Sequence, residues 1–187
     1  LQRPVYVRPI MKAVHNAFSN RWEELIPLNE RPNDLLERVI RRMKVGEGGE
    51  PAAPLVKVVN LSVGDARRIF SGLLSAWARM IDWLQWQYNI LFVVSAVNSD
   101  RLPLGVSRTE FEALTEDAQE KAVIQARFDQ NRQLRLLSPA ESINAVTVGA
   151  SHSDGAGPVT LPTGQSFVVR HPDLSSPSSR VGPGFAK

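Results

Sequence analysis

Residues 69–97 read IFSGLLSAWARMIDWLQWQYNILFVVSAV, and the way this stretch divides decides the fold. Ile69, Phe70, Leu73, Leu74, Trp77, Met80, Ile81 and Leu84 recur at three- and four-residue steps, which predicts a helix with one apolar face. Ser62 or Asp65 is placed to cap it. No proline interrupts the chain between Leu55 and Pro103, so the helix either runs on to about Val97 or breaks in two near Asp82 to Gln87. Ile90 to Val94 is a continuous apolar run. Such a run reads as a fully buried helix or as a strand, and periodicity does not choose between them.

Upstream, Met11, Val14, Phe18, Trp22 and Leu25 make one apolar stripe, which predicts a helix over 10–26 closed by Pro27. A second helix follows, capped by Asn33 or Asp34. It buries Leu35, Leu36, Val39, Ile40 and Met43 and turns Arg38, Arg41, Arg42 and Lys44 outward. Gly46 to Pro51 is a loop, and Leu55 to Asn60 is loosely alternating and β-branched, a short strand. Downstream, 101–105 is a turn and Glu110 to Leu137 reads as helical, with acids early and arginines late. From Ser138 the composition turns to Ser, Gly and Pro. Val159 to Val169 suits a short strand or hairpin, and Ser175 to Lys187 reads as disordered.

The 187 residues fit one domain with a tail, and 43% hydrophobic residues suffice for a core. The absence of cysteine excludes disulfides and thiolate metal sites and fits a reducing cytosol. A net charge of +3 is too small to identify a polyanion partner. Leu1 to Pro4 do not begin a signal peptide, and Arg79, Asp82, Gln85 and Gln87 break the most apolar stretch, so no membrane span is expected. Because the chain does not start with Met, a few residues are expected to precede it.

The motifs of common enzymes are missing. There is no phosphate-binding Gly-rich loop ending in Lys-Ser/Thr, no Gly-x-Ser-x-Gly elbow and no His-Glu-x-x-His helix. His15, His152 and His171 are scattered, so no metal or cofactor is expected, and Asp65, Asp82 and Asp100 are too sparse to pair. Arginines on helices remain, with Trp77, Trp83, Trp86 and Tyr88 among them. A guanidinium donates two hydrogen bonds to phosphate, and aromatic faces stack on bases. A solvated helix face and ordinary core packing account for the same residues.

Arg101-Leu102-Pro103 followed by Ser107-Arg108-Thr109-Glu110-Phe111-Glu112 resembles the Arg-x-x-Phe-Glu element of coat proteins from rod-shaped, single-stranded RNA plant viruses of the tobamovirus, hordeivirus, tobravirus and benyvirus kind. Phe18 to Trp22 resembles the first helix of the benyvirus-like members, and Val58 to Ser62 leading into Leu73 to Trp77 resembles the entry to their third. The resemblance implies an all-α fold: a four-helix-bundle-like core over 1–114, an additional helix over 115–137, and an extended, largely irregular tail over 138–187. The helix over 115–137 and the tail would be additions, since the family usually ends soon after Phe-Glu. The resemblance implies a coat protein that assembles with many copies of itself into a helical virion in the host cytoplasm and packages single-stranded RNA. Arg38, Arg41, Arg42 and Arg79 would contact phosphates and Asp82 would lie near the RNA. Trp22, Trp77, Arg108, Phe111 and Glu112 would be structural or assembly residues. The expectation is therefore that the chain is not an enzyme and has no membrane partner. The alternatives are an all-α structural oligomer without nucleic acid, and a small hydrolase or transferase with an unrecognised site.

Overall fold

In a computed structural model of the chain, the described residues are 5–7, 11–17, 20–27, 29–99, 101–152, 168–169, 171 and 174–182. The stretch at 69–97 divides into the last residue of a strand, a loop, a helix and a second strand. Helix α2 (Ala76–Tyr88) starts at Ser75, whose Oγ accepts from the Ala78 amide at 3.0 Å. It stops at Asn89, which takes the left-handed conformation at φ 47°. The chain then enters β5 (Leu91–Ser95) after one more residue. Gln85 fastens the corner, its side-chain oxygen accepting from the Phe92 amide at 3.0 Å. The apolar run at 90–94 is thus a strand: its β-branched residues fill the middle of a sheet.

That sheet has three strands in the order β3-β5-β7, all parallel, with β3 at Val58–Leu61 and β7 at Val146–Val148. Val59 pairs with Phe92 and Leu61 with Val94, so these four share one face. On that face Leu61, Phe92 and Val94 join Trp77, Ile81 and Leu84 of α2, and Leu36 and Ile40 of α1 (Pro32–Lys44), in one core.

The all-α expectation is therefore corrected. The fold is mixed α/β, with four helices, a parallel sheet and two two-stranded antiparallel pairs among the described residues. Residues 10–26 are not a helix. Lys12–Asn16 (β1) and Arg21–Leu25 (β2) form a hairpin in which His15 faces Trp22 with ring centroids 5.4 Å apart. Asn20 turns it at φ 49°, and the expected stripe is not buried, since Trp22 is 72% exposed. The predicted helix start at 62–65 is instead strand β4 (Asp65–Ile69), which pairs with β6 (Leu137–Ser138). The helix expected over 110–137 is two: α3 (Arg108–Glu112) and α4 (Glu116–Asp129), separated where the Thr115 side chain caps the second.

Residues 134–142 are buried almost throughout, and Ser142 leads into β7. Segment 174–182 is also held. Asn98 bridges Ser179, Arg135 bridges Val181 and Ser151 bridges Ser175. The expected disorder from Ser175 thus gives way to paired backbone between Ser175 and Val181; most of the expected strand at 159–169, and the last five residues, lie outside the described residues. Among the described residues no helix is long and apolar enough to cross a membrane.

Candidate active site

Open parallel sheets present their ligand sites beyond the carboxyl ends of the strands. Here β3 runs into Ser62-Val63-Gly64 and β5 into Ala96-Val97-Asn98. A cleft of roughly 350 Å³ opens between them, lined by Ser62, Gly64, Ala66, Val97, Asn98 and Leu137 among others. Ser62 is oriented by the Asn60 amide, which donates to its Oγ at 3.2 Å.

The strand β5 leaves the sheet by an unusual route. Val97 takes φ 66°, a left-handed conformation that a β-branched residue rarely adopts. Two hydrogen bonds hold it there. The Val97 amide donates to Ser95 Oγ at 3.0 Å, and its carbonyl accepts from the Arg180 amide at 3.0 Å. Backbone strain of this kind persists only where the surroundings overdetermine it, and it concentrates at functional sites.

The turn delivers Asn98 to the rim, exposed. Its main chain is tied down: the carbonyl accepts from Arg180 Nε at 3.3 Å, and the Ser99 amide donates to the Ser178 carbonyl at 2.7 Å. Its side-chain amide, by contrast, makes no hydrogen bond among the described residues. A carboxamide on a pinned backbone, with its N–H groups unspent at the lip of a cleft, suits it to meet an oxygen that gains charge.

Two arginines fasten the segment that backs this site. Arg180 Nη1 donates to the carbonyls of Gln133 at 2.8 Å and Arg135 at 3.0 Å. Arg127 donates to the carbonyls of Ser175, Ser176 and Ser179, and burial holds its guanidinium below the usual arginine value. Ser179 itself is buried and its Oγ accepts from the Ala150 amide at 3.1 Å, linking the segment to the end of β7.

The residues singled out from sequence lie elsewhere, and none of them lines the cleft. Arg38 is paired with Glu30 at 2.8 Å, and that contact raises its pKa above the ordinary value. Arg41 lies between Glu37 and Glu47, at 3.8 and 3.7 Å. Arg42 and Arg79 are exposed on α1 and α2. Lys44, placed on the same basic face, instead donates to the carbonyls of Pro54 and Val56. Asp82 is a brace: it accepts from Ser142 Oγ at 2.6 Å, the Asn144 amide at 2.9 Å and the Ile143 amide at 3.3 Å, and so fixes the approach to β7. Trp77 is buried in the core and Trp22 is exposed on the hairpin. Arg108 and Glu112 pair along α3 at 2.6 Å, with Phe111 half-buried beside them. Sequence reasoning missed Gly64, Val97 and Asn98. Their signal is two short apolar strands separated by a helix, each ending in small or amide residues, which reads as a βαβ unit.

Asp65, Asp82 and Asp129 have partners other than an imidazole. Asp65 accepts from the Arg67 amide, Asp82 from the 142–144 turn, and Asp129 from Gln125. His15 Nε2 lies 3.2 Å from Asn20 Oδ1 in the hairpin. Asp65, Asp82 and Asp129 are thus engaged in local structure, while the Asn98 carboxamide is not.

Comparison with known proteins agrees with this parallel-sheet setting. The model of the subtilase family matches residues 38–186. The uncharacterized protein y4bN of Sinorhizobium fredii is 32% identical over 131 residues, which is 69% of this chain and 28% of that protein, so the chain spans under a third of its relative. No solved structure matches. The family match runs through 101–112, where the coat-protein resemblance rested, and overturns both that resemblance and the capsid function drawn from it. The all-α structural oligomer falls with the fold. Family membership also points toward a peptidase, opposite to the expectation of a non-enzyme. The chain belongs to the subtilase family.

Proposed function

We propose that this chain forms the oxyanion-binding side of a serine-peptidase site. Asn98 carries the reading. Its carboxamide projects from the carboxyl end of the central parallel strand, on a backbone pinned by Val97 and Arg180, with no hydrogen bond of its own among the described residues. In acyl transfer the carbonyl oxygen of the scissile peptide becomes negative as the nucleophile adds. A donor about 2.7–3.1 Å from the place that oxygen will occupy lowers the barrier. Subtilisin, the worked example of this effect within the family, loses about 10²–10³ in kcat when its oxyanion asparagine is removed.

The family's reaction further requires a serine nucleophile activated by histidine, with an aspartate orienting the base, in the chain order Asp, His, Ser. In this proposal those groups come from parts of the protein outside the described residues. Asn98 takes the side of the carbonyl away from the attacking oxygen. The arginine-fastened segment 174–182 keeps it from swinging off when charge develops.

The test is to treat the full-length protein that contains this chain with a fluorophosphonate and, separately, with peptide p-nitroanilides. Covalent labelling of one serine together with release of p-nitroaniline is expected. A folded full-length protein that neither labels nor hydrolyses any peptide would overturn the proposal and leave an inactive relative.

A further inference from the structure

We infer that Val97 is a specificity-determining wedge that restricts the substrate residue donating the scissile carbonyl to a short side chain. The inference rests on the oxyanion role proposed for Asn98. Once the carbonyl oxygen is placed against that amide, the side chain of the same residue branches from the neighbouring carbon. It must then enter the cleft beside Asn98, whose lining includes Gly64 and Val97.

Those two residues touch. A methyl placed on Gly64 would overlap Val97 Cγ2, far closer than carbon–carbon contact allows, and would lie 3.4 Å from Val97 Cβ and 3.5 Å from Leu137 Cβ. The Val97 side chain therefore lies directly against the bare backbone of Gly64, with Leu137 behind. The cleft's roughly 350 Å³ is lined by Ser95 and Arg180 as well as by Gly64, Val97 and Leu137.

The position is an odd one for valine. At φ 66° glycine is the residue without penalty, and a β-branched side chain is the most strained of choices. The β-branch restricts χ1, so the methyls do not rotate away freely, and the two hydrogen bonds at the Val97 amide and carbonyl hold the backbone in place. Strain held at such a place, beside the unspent Asn98 amide, is explained if the methyls do something there. What they do is narrow the cleft that Val97 lines. Hydrophobic pockets distinguish side chains by about 10–200-fold per methylene-sized change, so the wedge has the reach to set preference.

The experiment compares succinyl-Ala-Ala-Pro-Ala-p-nitroanilide with the corresponding Phe substrate, using the full-length protein and its Val97→Gly and Val97→Ala variants. Circular dichroism checks each fold. The parent is expected to favour Ala over Phe by at least about 10-fold in kcat/KM. Val97→Gly is expected to shift the Phe/Ala ratio upward by about 10-fold or more, with Val97→Ala between. The ratio is read within each variant, so a general loss of rate does not mimic it. A parent that cleaves the Phe substrate as well as the Ala one, or variants that leave the ratio unmoved, would overturn the wedge while the Asn98 reading stands. Failure of the parent to hydrolyse either substrate or to label with fluorophosphonate removes the proposed peptidase, and the wedge falls with it.

Discussion

Gly64→Ala is a severe test of the contact between the two strand ends. The backbone at Gly64 does not lie in the left-handed region, so alanine has no conformational penalty there. By itself the change would stabilise the fold by about 0.4–1 kcal/mol, through the smaller freedom of the unfolded chain. The contact opposes this. Carbon atoms pack at about 3.5–4.0 Å, so the added methyl requires Val97 Cγ2 to retreat by about 1 Å or more. Val97 is held by Ser95 Oγ and the Arg180 amide, and its χ1 is stiff, so the retreat must be shared with Leu137, itself fully buried. Overpacking of this kind costs about 1–3 kcal/mol. The net expectation for Gly64→Ala is destabilisation by about 1–2 kcal/mol in equilibrium urea unfolding. In a Val97→Gly background the same change should turn slightly stabilising, because the clash is gone. The double-mutant cycle should therefore show a coupling of about 1–3 kcal/mol. A Gly64→Ala cost that is the same in both backgrounds, or absent in the parent, would refute the reasoning.

Three further outcomes follow from the geometry. Asp82→Ala should lower stability by about 2 kcal/mol, since it leaves Ser142 Oγ and the Asn144 amide without their acceptor; urea midpoints unchanged from the parent would count against the brace. Arg127→Ala should speed hydrogen exchange over 175–180 while the amides of β5 keep their protection, because only the carbonyls of Ser175, Ser176 and Ser179 lose a donor; equal exchange in parent and variant would contradict it. At α3 the Ser107 amide and hydroxyl hold the Glu110 carboxyl below its usual range. A depressed folded value means stabilisation that is present above the unfolded carboxylate pKa and lost as pH falls through the folded one. Exchange at 107–113 should accordingly rise below about pH 4, and exchange flat across that range would show that the capping box does not hold this helix.

The local parts of the fold were legible. The apolar stripe Trp77, Ile81 and Leu84 does face the core, and the β-branched segment before Asn60 is a strand within a few residues of its expected place. What failed was choice between periods that short stretches cannot distinguish. Val14, Trp22 and Leu25 satisfy a helical step, yet His15 and Trp22 meet as cross-strand partners, a pairing set by the turn at Asn20. Ile90 to Val94 carries no period at all, and its identity came from β3 and β7 on either side. The Arg-x-x-Phe-Glu match has a local explanation: Ser107 and Glu110 form a capping box, so its residues mark a helix start rather than a capsid. The candidate site was missed for a different reason: its βαβ signal depends on reading 90–94 as a strand. Asn98 acquires meaning only at the end of the central parallel strand, opposite Gly64, and neither relation is written in its neighbours.

The central claim is that Asn98 stabilises a developing oxyanion. Steady-state hydrolysis of a peptide p-nitroanilide by the full-length protein and its Asn98→Ala variant, with folding checked by circular dichroism, tests it most directly. The account predicts a fall of about 10²–10³ in kcat with KM little changed. An Asn98→Ala variant that turns over at the parent's rate would contradict it.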